Sequence, residues 1–267
     1  MNSRPLHVRG AATVAFAAAA ALTFGAVALA QAGPGSPPVS APGSWGDRWD
    51  SESMGRYDAC IAKTRTDPET AFEDAHIFHA DGGGALARHC IALALLELGA
   101  VEEAALRLEQ TAFMPDGGDS AMRAELLSQA GNAWLLARAP IEAEQAFTQA
   151  MTIQSGDPDL FIDRARAHAL QSHFGDAASD LSVALTLRPQ DVLALRLRAD
   201  AHFELGQLDQ AESDVDAALR ITPRDVDTLV LRGRIREARR LGWDAARDPG
   251  AADPSAAPDV LPDAPAL

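Results

Sequence analysis

The amino-acid sequence predicts an all-α protein in which pairs of short helices follow one another as a solenoid. Apolar residues through the middle of the chain recur at a spacing near 3.6, and no segment alternates as a strand does. Similar sequences also return at a fixed interval. "TLRPQDV", which ends at Val192, is followed 34 residues later by "RITPRDV", which ends at Val226. A single helix pair cannot bury its own apolar face, so units that repeat in this way are expected to stack.

The first element is a targeting segment over residues 1–30. Arg4 and Arg9 precede an uncharged apolar run that ends in Ala-Leu-Ala at Ala30, which has the small-x-small pattern of a signal-peptidase site. We therefore expect cleavage before Gln31 and export, most simply to the periplasm. The alternative is an uncleaved run that anchors the protein in a membrane as an assembly factor, because the run is about long enough to span a bilayer.

Composition and spacing divide the rest of the chain. Residues 31–52 begin with a stretch rich in Pro, Gly and Ser and are predicted to be a flexible linker. Residues 249–267 contain five prolines and are predicted to be a disordered tail. The predicted units between them are a degenerate helix pair 53–84, a degenerate repeat 85–123, three regular repeats 124–157, 158–191 and 192–225, and a partial capping repeat 226–248.

Small residues and prolines hold fixed places in the regular units. Ala165 on a first helix and Ala177 on the following second helix allow the two helices to approach closely. Pro189 ends that second helix, because proline cannot donate to the helical ladder and clashes with the preceding turn. The residues expected at the turn between the two helices of a unit are Gly99, Ser172 and Gly206.

This period and pattern resemble those of the tetratricopeptide repeat (TPR). The match is strongest over residues 124–240. In its first unit the small and aromatic positions of the family are Gly131, Trp134, Ala143, Phe147 and Ala150. The resemblance implies a right-handed solenoid that serves as a scaffold or adaptor, here in cell-envelope assembly, and that binds protein or peptide partners through its concave face. The chain departs from the family at His168 and His202, where tyrosine is usual, and at Ser155, which replaces the terminal proline.

The concave face, which the first helix of each unit lines in the family, is the predicted binding surface. The predicted partner-binding residues are Asn132, Arg166, Arg196, Asp200, Phe203 and Arg234. Three guanidinium groups in one groove would suit an acidic peptide or a terminal carboxylate. The simpler interpretation is that acids of the same face, among them Asp159, Asp200 and Glu237, neutralise these arginines.

Charged residues sixteen positions apart recur in three units. An arginine stands at the seventh position and an aspartate at the twenty-third, so an antiparallel helix pair would bring them together. The predicted structural ion pairs are Arg164 with Asp180, Arg198 with Asp214 and Arg232 with Asp248. Exposed pairs contribute little, about 0–1 kcal/mol each, so we interpret them as devices that set helix register.

Cys60 and Cys90 are the only two cysteines of the chain. In an exported protein they are expected to form a disulfide, which would join the first helix of the 53–84 pair to the first helix of the next unit. Two buried free thiols or a redox pair are the alternatives. A redox catalyst is disfavoured because the cysteines do not have C-x-x-C spacing.

Charge and motifs disfavour several functions. The formal net charge of −15 argues against a general nucleic-acid binder or a binder of anionic membranes, because both need clustered Lys and Arg. Membrane association is expected only if the N-terminal segment stays uncleaved. No phosphate-binding loop, G-x-S-x-G or H-E-x-x-H motif is present, so the sequence predicts no enzyme, no cofactor and no small-molecule substrate.

Histidines offer a weak alternative. His76 and His79, together with His89 and Cys90, could form a metal-binding or enzymatic site near residues 76–90. A second ligand pair with zinc spacing is missing, so no metal is predicted there. His168 and His202 occupy one repeat position, and their recurrence is interpreted as packing.

Overall fold

The structure, a computed structural model, describes residue 45 and residues 48–243. The predicted signal peptide 1–30, most of the predicted linker 31–52 and the predicted tail 249–267 lie outside the described residues. None of the helices in the described part combines the length and apolar character needed to cross a membrane. These helices are α1 (Ser51–Thr64), α2 (Pro68–Ala80), α3 (Gly84–Glu97), α4 (Val101–Ala112), α5 (Ser120–Leu136), α6 (Pro140–Ile153), α7 (Pro158–Leu170), α8 (Phe174–Leu187), α9 (Val192–Glu204), α10 (Leu208–Ile221) and α11 (Val226–Arg240).

An aspartate caps the first helix of each unit from α5 onward. In α9, for example, the Asp191 carboxylate accepts a hydrogen bond of 2.9 Å from the backbone N–H of Ala194. Such a cap satisfies a backbone donor that the helix leaves unpaired and typically contributes about 1 kcal/mol. The aspartates that cap helices in this way, including those of α1 and α2, are Asp50, Asp67, Asp119, Asp157, Asp191 and Asp225.

The turn inside a unit has the same backbone in four successive units. Its central residue has a positive φ, of 81° at Gly99, 57° at Arg138, 61° at Ser172 and 68° at Gly206. Glycine adopts this left-handed conformation at little steric cost, whereas a residue with a Cβ is strained in it.

Successive helices pack against one another, and the first helices of neighbouring units also touch. α5 contacts α7, α7 contacts α9, and α9 contacts α11, so these four helices form a row. Gly131 of α5 lies against the ring of Phe147 on α6, where a Cβ atom would fall 2.6 Å from the ring. One unit later the corresponding residues are Ala165 and Leu181, in one core cluster, so a residue larger than glycine is accompanied by one smaller than phenylalanine. The repeated packing confirms the predicted all-α solenoid.

A disulfide fastens the N-terminal helix pair to the next unit. Cys60 of α1 is bonded to Cys90 of α3, with a Cα–Cα distance of 6.2 Å, and α1 packs against both α2 and α3. Both cysteines lie in a core cluster with Ile91 and small alanine side chains. The cross-link therefore ties together two helices that are not consecutive in the chain.

The start of α3 depends on contacts from distant parts of the chain. Gly84, the last residue of the predicted helix pair 53–84, is the first residue of α3. Asp116 Oδ2 accepts a hydrogen bond of 2.9 Å from the backbone N–H of Ala85 and so supports the helix start. Trp49 lies against this glycine, and a Cβ atom there would fall 2.5 Å from its ring. The long-range contacts with Asp116 and Trp49 explain a start that local turn preferences do not predict.

Candidate functional site

The row of first helices carries the predicted partner-binding residues. They lie on α5 (Asn132), α7 (Arg166), α9 (Arg196, Asp200 and Phe203) and α11 (Arg234). We refer to the side of the row that bears these six residues as the inner face. In the structure, all six take part in polar or aromatic contacts within or between neighbouring first helices.

The first contact group centres on Asp163 of α7. Asn132 Nδ2 of α5 donates to Asp163 Oδ2 at 3.1 Å, and Arg166 Nη1 donates to Asp163 Oδ1 at 3.0 Å. Burial raises the pKa of Asp163, although the Arg166 charge and the Asn132 hydrogen bond oppose this shift. Asn132 and Arg166 thus act together to hold one half-buried carboxylate between two repeats.

The second contact group surrounds Arg234 of α11. Its Nη1 donates to Asp200 and its Nη2 to Glu204, both on α9 and both at 2.9 Å. The guanidinium also lies over the Phe203 ring, 4.4 Å from the centroid, and Phe203 contacts the Trp243 ring at 5.2 Å. One arginine therefore joins α11 to α9 through two charged contacts and a cation–π contact.

Each arginine of the predicted set has a carboxylate partner. Arg196, the remaining one, donates from Nη1 to Asp227 Oδ2 at 3.0 Å. Of the three acids that were expected to neutralise these arginines, Asp200 does so. The other two are engaged elsewhere, Asp159 with Arg188 and Glu237 with Arg240. The inner face thus presents paired charges rather than three unpaired guanidinium groups.

The Arg164–Asp180 pair lies inside one unit and also reaches the unit before it. Arg164 donates from Nε and Nη2 to the two oxygens of Asp180, at 2.8 and 2.7 Å. Its Nη1 also donates to Thr148 Oγ1 on α6, at 3.3 Å. The hydrogen bonds to Asp180 raise the pKa of Arg164 further above its ordinary value. The pair connects three helices of two units.

The next unit repeats this arrangement. Arg198 donates to both oxygens of Asp214, and its Nη1 donates to Ser182 Oγ on α8 at 3.1 Å. The third predicted pair is not described, because Asp248, the expected partner of Arg232, lies outside the described residues.

Exposed aliphatic side chains lie on the C-terminal part of the row. Leu193 on α9 is 43% exposed, and Val226 and Val230 on α11 are 69% and 59% exposed. Each lies on a helix that also carries the ion pairs of the inner face. This combination of apolar and paired charged groups is open to solvent.

Aromatic residues from the N-terminal part of the chain pack together beside α5. Trp45 packs against Tyr57 and His89, with ring centroids 5.7 Å away in both cases. Tyr57 Oη lies 2.7 Å from His89 Nδ1, and His89 Nε2 lies 2.8 Å from Gln129 Oε1. Gln129 donates its amide to Glu125, which orients its oxygen toward His89. Because that oxygen can only accept, the His89 proton is on Nε2 and Tyr57 donates to Nδ1.

The ionisation of this aromatic group follows from its burial. Burial lowers the pKa of His89 to about 4 and raises the pKa of Tyr57 to about 12. Both side chains are therefore neutral near pH 7. Trp45, Tyr57 and His89 thus form a buried, uncharged group, in contrast to the exposed aliphatic side chains on α9 and α11.

Comparisons with solved structures decide the fold family. YrrB, a TPR protein with an unusual peptide-binding site, matches with a TM-score of 0.57 and 14% identity over 68% of this chain and 92% of YrrB. The chain has the TPR fold. MamA from Desulfovibrio magneticus RS-1 matches with a TM-score of 0.57 and 10% identity over 66% of this chain and 98% of MamA. Another MamA structure has a TM-score of 0.54 and 16% identity, over 64% and 92%. No protein-family model and no curated protein matches the chain by sequence.

In this TPR array the residues of the predicted His/Cys alternative are engaged separately. Cys90 is bonded to Cys60, and both ring nitrogens of His89 have hydrogen-bond partners. His76 packs against Phe72, with ring centroids 4.5 Å apart. The structure therefore gives Cys90 and His89 other roles than metal ligation.

The TPR position at which the family usually has tyrosine does gather possible ligands. His168 Nδ1 lies 3.6 Å from Glu144 Oε2, and the His173 ring centroid lies 6.4 Å from that of His168. One ligand atom from each of these three residues lies within 4.8 Å of the other two. The repeat pattern did not reveal this group, because the next junction has Ala178 and Gln207 at the positions that Glu144 and His173 hold here.

Proposed function

We propose that the protein is an exported TPR scaffold or adaptor, and not an enzyme, that binds a protein or peptide partner through the inner face of α9 and α11. The observation that carries this proposal is the exposure of Leu193 and Val230 on helices where Arg196 and Arg234 are already paired with carboxylates. Apolar patches of this kind, bordered by polar groups, are typical of contact surfaces between polypeptides.

The paired charges indicate how such a partner would be held. A carboxylate of the partner that approached Arg196 would have to compete with Asp227, and one that approached Arg234 would compete with Asp200 and Glu204. Covering aliphatic surface has no such cost and contributes about 25 cal/mol per Å² of apolar area buried. We therefore infer a partner segment that is anchored by apolar side chains, with affinity that depends weakly on salt.

The comparison with YrrB supports a peptide-binding role, since that TPR protein has a peptide-binding site. The scaffold class is also supported by the fold, whose row of first helices offers an extended surface. Catalysis is not part of the proposal, because the charged groups of the inner face are engaged with one another.

Export is the second part of the proposal. It rests on the signal-peptide pattern of residues 1–30 and is supported by the Cys60–Cys90 disulfide, since such bonds persist in oxidising compartments. N-terminal sequencing of the protein from its native host tests it. A mature chain that begins at Gln31 supports export to the periplasm, whereas a retained N-terminus supports the membrane-anchored alternative.

A site-specific cross-linking experiment tests the binding face. A photoreactive amino acid is placed at position 230 on α11, or as a control at position 183 on α8, where the native valine is 41% exposed. We expect a discrete cross-linked partner from position 230 and none from position 183. Equal yields from both positions, or a product from position 183 alone, would contradict the proposed face.

Matched charge substitutions give an independent measure with the captured partner. Val230→Asp should weaken its binding at least tenfold, whereas Val183→Asp should leave binding unchanged. Both exposed positions should tolerate the change, with a loss of about 0.5 kcal/mol or less in the free energy of unfolding. Binding that survives Val230→Asp would exclude this face as the site.

A further inference from the structure

We propose that Glu144, His168 and His173 form a binding site for Zn²⁺, or for a similar first-row divalent metal ion, at the junction of two repeats. Glu144 lies on α6, His168 in the last turn of α7, and His173 is the residue that precedes α8. The site is separate from the proposed partner-binding residues of α9 and α11, and it does not depend on them.

The spacing of the three groups fits a tetrahedral metal. With Zn–N and Zn–O bonds of about 2.0–2.1 Å, tetrahedral geometry places ligand atoms about 3.3–3.4 Å apart. His168 Nδ1 and Glu144 Oε2 are already 3.6 Å apart, and all three ligand atoms lie within 4.8 Å of one another. A rotation of the exposed His173 side chain would bring its ligand atom to the tetrahedral distance from the other two.

The strongest evidence is an unpaired nitrogen. His168 Nδ1 is buried and has no hydrogen-bond partner. One repeat later, the equivalent His202 Nδ1 is satisfied by Gln207 Oε1 at 2.6 Å. In the 158–191 unit His173 stands in the place of Gln207, so a side chain that completes a hydrogen bond has been replaced by a second imidazole.

The carboxylate ligand is also specific to this junction. Glu144 corresponds to Ala178 in the next unit, so the third ligand is added at the same junction where His173 replaces a glutamine. Two differences between neighbouring repeats therefore both add a metal-binding group around one histidine. His202, which we interpret as purely structural, has neither the glutamate nor the second histidine at the corresponding positions.

Neighbouring groups orient the ligands in the manner of a metal centre. Asp180 Oδ2 lies 3.7 Å from His168 Nε2, and Arg164 fixes this carboxylate with two hydrogen bonds. When Nδ1 binds a metal, the proton of His168 is on Nε2, beside this carboxylate. Gln171 Nε2 donates to Glu144 Oε2 at 2.7 Å and orients the second ligand.

The chemistry of the ligand set defines the ion. Two imidazoles and one carboxylate suit Zn²⁺, Co²⁺, Ni²⁺ and Cu²⁺, whereas Mg²⁺ and Ca²⁺ prefer oxygen ligands alone. Three protein ligands leave one tetrahedral position for water or for a ligand from another molecule. The ion would bridge α6, α7 and the residue that precedes α8, and so link the two repeats.

Binding of Zn²⁺ to the full chain, without an affinity tag and after treatment with a chelator, tests the site. We expect one equivalent to bind at pH 7.5 in competition with a chromogenic chelator, and Zn²⁺ to raise the melting temperature. Co²⁺ should give the visible absorption of a tetrahedral complex. His173→Gln should lose at least tenfold in affinity and the thermal shift, whereas His202→Ala should bind like the native protein.

The variant His173→Gln also shows whether a loss of Zn²⁺ binding is caused by misfolding. Because Gln207 satisfies His202 in the next unit, glutamine at position 173 should satisfy His168 and leave the metal-free melting temperature at or above that of the native protein. If native protein binds no Zn²⁺, or if His173→Gln and His202→Ala reduce binding equally, the proposal is wrong.

Discussion

Arg198 binds Asp214 through two hydrogen bonds, of 2.8 Å from Nε and 2.7 Å from Nη2, across the two helices of one repeat. Only 9% of the Asp214 side chain and 23% of the Arg198 side chain are exposed. The same geometry occurs one repeat earlier between Arg164 and Asp180. Because these pairs are bidentate and largely enclosed, they are expected to contribute more than an exposed ion pair does.

Replacing Arg198 should therefore leave a buried, unpaired carboxylate. Arg198→Ala should lower the free energy of unfolding by about 1–3 kcal/mol. The double variant Arg198→Ala/Asp214→Ala should lose clearly less than the sum of the single variants, as measured by urea denaturation. Arg220→Ala, at an exposed position on the same helix as Asp214, is the control and should change little. Additive single effects would mean that the two side chains are not coupled.

The Cys60–Cys90 bond should stabilise the N-terminal helices. It closes a loop with a sequence separation of 30 residues, so the chain-entropy model gives about 3–4 kcal/mol. Cys60→Ala/Cys90→Ala should lower the free energy of unfolding by that amount at most. A reductant should destabilise the native protein but not the double variant. If reductant shifts neither protein, the bond contributes no stability.

Alanine substitution at the same repeat position should change the stability in opposite directions in two units. Gly131→Ala would place a Cβ atom 2.6 Å from the Phe147 ring and should destabilise the protein by about 1–3 kcal/mol. Gly233 holds the equivalent position of α11, where a Cβ atom would meet none of the described residues of neighbouring elements within 4 Å. Gly233→Ala should therefore stabilise by up to about 1 kcal/mol, through its better helix propensity. Thermal melts of the two variants would show changes of opposite sign, and shifts in the same direction would contradict this packing.

Acid should destabilise the protein through His89. Its pKa is about 4 in the folded chain and 6.5 in the reference state, because burial disfavours the charged ring. Between these values the unfolded chain binds a proton that the folded chain does not, so stability falls as the pH decreases from 6.5 to 4, by up to about 3 kcal/mol. Above this window the contribution of His89 is constant. His89→Gln should flatten the dependence of unfolding free energy on pH in that window, whereas His76→Gln, at an exposed site, should not. An unchanged slope in His89→Gln would show that other groups cause the acid sensitivity.

Features that depend on position within one unit could be predicted from the sequence. The 34-residue period located the helix pairs, and Pro158 marks the start of α7 because proline suits the first helical position. The contact of Arg164 with Asp180 follows from the same period, because it needs only that two antiparallel helices pack in register. The disulfide was predictable for a different reason, since Cys60 and Cys90 have no other cysteine with which to pair.

Contacts that cross from one unit to the next could not be predicted in the same way. Arg196 has several acidic residues within reach, and its choice of Asp227, 31 residues ahead, depends on the angle between repeats and on side-chain rotamers. Asp159 was expected to pair on the inner face but turns to Arg188 for the same reason. His173 lies in a turn and breaks the repeat pattern, so periodicity gave no signal for it.

The disulfide and α11 lie at opposite ends of the described array, and this should make its opening directional. In a linear array each unit is held by its neighbours, and α11 packs against α9 and α10. Amide hydrogen exchange is then expected to be fastest in α11 and slowest around α3, so fraying would proceed from the C-terminal end toward the cross-link. A partner bound across α9 and α11 would pack against this end of the array, as a further repeat would. Recognition would then be measurable as slower exchange in helices that the partner does not touch.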